Sequence, residues 1–128
     1  MPLNETFGWL WITLGFLSGA LIGLGFLRDD FLGGYDSRPR RLIRLAHISF
    51  FGLGFINVLF ATGSAPAVLA ALAAPLLRVA SWGLIAGAVL MPTCCLLVAW
   101  RAGLKPLFAA PVAALICAGL ACVWGGAS

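Results

Sequence analysis

The stretch FGWLWITLGFLSGALIGLGFL, Phe7 to Leu27, decides the fold. It carries no charged residue, and Arg28-Asp29-Asp30 closes it. A helix needs roughly 20 mostly apolar residues to cross the hydrocarbon of a bilayer, and this run supplies them. With no water available in hydrocarbon, only a helix or a closed barrel satisfies every backbone N–H and C=O. The run does not alternate with a period of two, which argues against a barrel strand. A cleaved signal sequence fits less well. The amino end carries Glu5 instead of a basic cluster, no Ala-x-Ala precedes the charges, and the run exceeds the roughly 7–15 residues of a signal core.

Three more runs repeat the pattern. Residues 42–62 are interrupted only by Arg44 and His47, residues 79–100 lie between Arg78 and Arg101, and residues 107–124 follow Lys105-Pro106 without a charge. The whole chain is 62% hydrophobic and 9% charged, against roughly 25% charged in soluble domains. That composition excludes a soluble enzyme and a disordered chain. The 128 residues are expected to form one transmembrane domain. The expected fold is all-α: an integral membrane four-helix bundle. Between the second and third runs, Ser64 suits an N-cap and Pro66 a first turn. A short interfacial helix is expected there, with Pro75 marking the start of helix three.

Basic residues set the orientation. Arg28, Arg38, Arg40, Arg41 and Arg44 flank the first connection, Arg101 and Lys105 the third, and only Arg78 belongs to the second. The positive-inside rule then places the first and third connections in the cytoplasm and both termini outside. Trp9, Trp11, Trp82 and Trp124 fall near the outer boundary and Trp100 near the inner one, where amphipathic rings settle. The expected location is a bacterial inner membrane. The net charge of +4 belongs to the membrane surface, with anionic lipid near Arg38, Arg40 and Arg41, and is not a nucleic-acid footprint.

Small residues recur at four-residue spacing: Gly15, Gly19 and Gly23 on helix one, Gly83 and Gly87 on helix three, and Ala110, Ala114 and Ala118 on helix four. Such stripes let helix backbones approach closely, within the bundle or against another subunit. Ionisable groups inside a membrane default to functional hypotheses, and His47 is the clear case. Arg40, Arg44, His47 and Gly54 share one helical face, which suits an anionic head group, a haem propionate or a quinone oxygen. A single histidine excludes bis-histidine haem within one chain, leaving His/Met ligation with Met91 or a haem shared with another subunit. Cys94 and Cys95 are adjacent and Cys117 and Cys122 five apart, unlike a redox Cys-x-x-Cys; they read as small buried hydrophobes. Pro92 and Pro111 read as packing kinks, with Thr93 and Asn57 able to satisfy freed backbone groups or to mark a polar pathway.

Two families of similar size bear comparison. The small multidrug exporters need a glutamate within helix one, and Phe7 to Leu27 has none. Ser18-Gly19-Ala20-Leu21-Ile22-Gly23 followed by Arg28, with Asn57 on helix two, resembles the fluoride channels over less than a quarter of the chain. Their threonine- and phenylalanine-rich break in helix three has no counterpart in Met91-Pro92-Thr93-Cys94-Cys95, and the charge bias opposes dual insertion.

The expected function is that of a small non-catalytic integral membrane subunit of a larger complex, respiratory or photosynthetic. No cofactor is required by the sequence. The alternative is a haem- or quinone-associated redox protein using His47, and the third reading is a small transporter or channel. The topology is directly testable. A periplasm-dependent reporter fused after Ser128 is expected to be active and a cytoplasm-dependent one silent; the reverse pattern overturns the orientation.

Overall fold

The computed structural model describes residues 2–63 and 74–126. Four long helices account for nearly all of them: α1 (Pro2–Phe26), α2 (Arg38–Gly63), α3 (Ala74–Trp100) and α4 (Ala109–Gly126). Helices of this length rise about 27–40 Å, and four segments are long and apolar enough to cross a membrane: Leu3–Phe26, Arg38–Gly63, Pro75–Trp100 and Ala102–Trp124. The protein is therefore an all-α, multi-pass membrane four-helix bundle. The expected interfacial helix falls mainly on residues 64–73, which lie outside the described residues, while residues 74–77 form the first turn of α3.

The connections at the arginine-bearing end, here the basic end, are built from local chemistry. After α1 the chain makes a 3-10 turn, Phe31–Gly33, in which Leu32 (φ 58°), Gly33 (φ 86°) and Gly34 (φ 89°) are all left-handed. Glycine adopts that conformation without penalty and leucine rarely does, so the two glycines carry most of the reversal. Ser37 then caps α2. Its Oγ accepts from the Arg40 amide at 3.3 Å and donates to the Leu32 carbonyl at 2.7 Å, tying the turn to the helix it starts. This cap places the start of α2 at Arg38, a turn before the apolar run begins. At the third connection a 3-10 segment, Ala102–Phe108, precedes α4. Pro111, in the first turn of α4, has no N–H to offer the Leu107 carbonyl. The Cys94 thiol approaches that oxygen at 3.5 Å, so Cys94 supplies a polar contact and not only apolar bulk.

The helices pack in sequence order, α1 on α2, α2 on α3 and α3 on α4, while α1 meets α3 only sparsely. The result is an open row, not a closed square. Its seams are glycine-lined. A Cβ on Gly8 would lie 2.7 Å from the Gly54 carbonyl oxygen, and one on Gly54 3.1 Å from that of Gly8. The two backbones thus cross with nothing between them. Toward the basic end, Gly15 faces the Phe50 and Phe51 side chains and Gly19 faces the His47 ring. Gly83 sits against Ala114 and Ala118, and Gly87 against Leu115, to close α3 on α4. Gly23 differs, with no atom within 4 Å of a Cβ placed there. Lipid tails are as apolar as leucine, so close approach and dispersion replace the hydrophobic drive in joining these helices.

Aromatic side chains fill the α1–α2 seam beside the glycines. Trp11 stacks on Phe7 at 5.0 Å and tilts against Phe50 at 5.0 Å, so it turns into the seam. Trp9, Trp82, Trp100 and Trp124 stay exposed.

The seam predicts a contrast between two glycines on one helix. Gly8→Ala forces a methyl into a backbone oxygen and is expected to destabilise by about 1–3 kcal/mol, as overpacking does. Gly23→Ala is expected to be neutral or slightly stabilising. Denaturant titration of the purified protein in detergent checks both, and equal effects would refute the close crossing at Gly8.

Candidate functional site

Polar side chains inside an apolar helix must find partners within the protein. Here the main groups lie at three levels along the row, one joining α1, α2 and α3 and two on α1 and α2.

The level nearest the termini is a closed amide cluster. Asn4 and Asn57 are fully buried and Ser81 nearly so. The Asn4 Nδ2 donates to Asn57 Oδ1 at 2.8 Å and to the Ser81 carbonyl at 3.2 Å, and the Ser81 hydroxyl donates to Asn4 Oδ1. The Asn57 Nδ2 donates to the Leu53 carbonyl at 2.8 Å and the Leu84 carbonyl at 3.4 Å. Every amide hydrogen and amide oxygen in the pair has a partner. The cluster is fully buried and each of its amide groups is partnered, so it fastens α1, α2 and α3 together. Asn57 was expected to serve freed backbone groups or a polar path; it serves the inter-helix fastening. Asn4 and Ser81 carried no expectation, because each sits at the edge of an apolar run.

At the basic end, Arg40 is buried to 6% exposure. Its guanidinium donates to the Asp29 carbonyl at 3.1 Å and the Phe26 carbonyl at 3.3 Å, with its centre 4.6 Å from the Phe26 ring centroid. It closes the C-terminal end of α1, whose last carbonyls lack helical partners and attract positive charge. Arg44 lies 4.3 Å over the Tyr35 ring and donates to the Tyr35 carbonyl at 3.3 Å. Arg40 and Arg44 share a helical face with His47, yet their hydrogen bonds run to the connection and not to the imidazole. Arg28 pairs with Asp30 at 3.5 Å, where both are largely exposed, so this ion pair contributes little.

His47 occupies the third level, half-buried between α1 and α2. Its Nδ1 is 3.3 Å from the Ser18 Oγ, which itself donates to the Gly15 carbonyl at 3.0 Å. Phe51 presents itself edge-on at 5.2 Å. Gly19 makes this possible: a Cβ there would lie 2.6 Å from the imidazole Cε1 and 3.1 Å from Nε2. Of the expected site residues, the structure thus joins His47 to Gly19 and, through Ser18, to Gly15. Gly23, one turn along α1, leaves an open face.

Among the described residues no group of three or more His, Cys, Asp or Glu side chains is placed to hold a metal ion. An open groove of about 280 Å³ between α3 and α4 is lined by Leu76, Val79, Cys117, Leu120, Ala121 and Trp124. Its apolar lining offers nothing to orient a polar ligand. The chain matches no protein-family model, no curated protein and no solved structure.

The amide cluster yields a quantitative expectation. Asn57→Leu leaves one Asn4 amide hydrogen without its partner and removes the side-chain bonds to the Leu53 and Leu84 carbonyls, and is expected to destabilise by about 1–3 kcal/mol. Asn4→Leu added to it should cost much less than it does alone, because the pair has already been broken. A double-mutant cycle measured by unfolding in detergent gives the coupling, and strict additivity would refute the fastening role.

Proposed function

We propose that the chain is a small non-catalytic membrane subunit that packs into a larger membrane complex through the outer helices of its row. The observation that carries this reading is the open arrangement. The end segments Leu3–Phe26 and Ala102–Trp124 each bury only 17% of their most apolar window, against 22% for α2 and 44% for α3. Leu21 and Leu24 of α1, and Ile116 and Val123 of α4, stand exposed along their outward sides. The amide cluster and Arg40 serve the chain's own fastening. A row closed on neither side offers two long apolar faces on which other spanning helices can pack.

Its setting follows the charge pattern. Arg38 and Arg41 are exposed at the basic end, where anionic head groups of a cytoplasmic leaflet would neutralise them. That orientation puts both termini outside a bacterial inner membrane. Respiratory and photosynthetic assemblies are the class of complex that such a subunit suits.

The test is assembly in native membranes. A photo-crosslinking residue at Leu24 or at Ile116 is expected to join the 13.4 kDa chain to discrete protein partners, which also co-purify in fixed stoichiometry in mild detergent. Migration as a lone chain, with crosslinks only to lipid from both positions, would overturn the proposal.

A further inference from the structure

The hydrogen-bond chain at His47 bears on which of its nitrogens is free. The Ser18 hydroxyl has one hydrogen, and its oxygen lies 3.0 Å from the Gly15 carbonyl and 3.3 Å from His47 Nδ1. Both contacts are hydrogen bonds at once only when Ser18 donates to Gly15 and Nδ1 carries the imidazole hydrogen, and this tautomer is the premise of the site. In the neutral ring Nε2 then carries a lone pair, and it has no hydrogen-bond partner among the described residues. Locking one imidazole nitrogen as a donor is how a protein prepares the other as an acceptor.

The surroundings specify what that acceptor meets. His47 and Phe51 are half-buried, and Phe16 is 66% exposed and packs edge-on against Phe51 at 5.0 Å. An aromatic patch therefore borders the imidazole on the lipid-facing side of the α1–α2 seam. One turn toward the basic end, Gly23 is exposed and meets no atom within 4 Å of a Cβ position. Arg44 stands one turn from His47 on α2, over the Tyr35 ring. A ligand suited to this place dissolves in lipid, presents a flat ring to Phe16 and Phe51, and donates a hydroxyl hydrogen to Nε2.

We propose that the Ser18–His47 pair forms a binding site for a membrane quinol, with His47 Nε2 accepting the quinol hydroxyl. The site prefers the reduced form over the oxidised quinone. A quinone carbonyl is itself an acceptor and gains nothing from an unprotonated Nε2. The site stands independently of the packing role, since it lies within the chain's own α1–α2 seam. It concerns binding alone, with no electron transfer assigned.

The chain's single histidine makes the experiment clean. Protein labelled with ¹⁵N-histidine gives one imidazole, whose nitrogen resonances report both the tautomer and the hydrogen bond to Nε2. In detergent or nanodiscs, without ligand, the Nδ1–H tautomer is expected. A short-chain quinol held under reducing conditions should shift the Nε2 resonance, and should bind on the order of tenfold more tightly than its quinone, one hydrogen bond's worth. Ser18→Ala removes the lock and should abolish that preference while leaving the helical content unchanged. Farnesol, a hydroxyl donor without an aromatic ring, should compete poorly. An Nε2–H tautomer in the free protein, an Nε2 resonance indifferent to quinol, equal affinity for quinone, full competition by farnesol, or an undiminished preference in Ser18→Ala would each overturn the proposal.

Discussion

Inside hydrocarbon a polar group without a partner in the protein has no partner at all, and this constraint organises the molecule. It makes each span a helix, and it decides where the few polar side chains sit. Asn4 and Asn57 are tolerated because they saturate one another with Ser81 and two carbonyls across three helices. Arg40 is tolerated at 6% exposure because the end of α1 offers it carbonyls and an aromatic face. Where glycines bring the backbones together, dispersion does what the hydrophobic effect would do in water.

The balance differs along the row. The α1–α2 seam combines a backbone crossing at Gly8 and Gly54, aromatic stacking around Trp11, and the amide cluster at one end. The α3–α4 seam relies on Gly83, Gly87 and alanines, with the Cys94 contact to the Leu107 carbonyl at its basic end. Among the described residues the first three helices are thus pinned by directional bonds, while α4 is held mainly by shape. Shape alone is tolerant of sliding, whereas an amide pair holds one register.

The spans were legible because an uncharged run of bilayer length has few other readings, and the four helices follow the four apolar runs. Their ends were less legible. Asn4 precedes the run that starts at Phe7, and a polar residue outside an apolar window reads as leaving the membrane; only its partners 53 and 77 residues away show otherwise. Glycine spacing located the seams but not their tightest point. Gly8 fell outside the regular stripe and makes the backbone crossing, whereas Gly23 fits the stripe and touches nothing. His47 was legible as an intramembrane ionisable residue. Its Ser18 partner was not, because the register between α1 and α2 is set by three-dimensional packing and leaves no periodic trace.

The amide cluster also has a place in time. Asn4 emerges before its partners, since Asn57 and Ser81 lie 53 and 77 residues behind it. At translation rates of roughly 5–20 residues per second, α1 waits about 4–15 s before its last partner exists. Within that interval Asn57 becomes available before Ser81, so the partners of Asn4 arrive in two steps. Only once α3 has been made can the bonds between Asn4 and Ser81 form, so α1 completes its contacts after the helices that follow it.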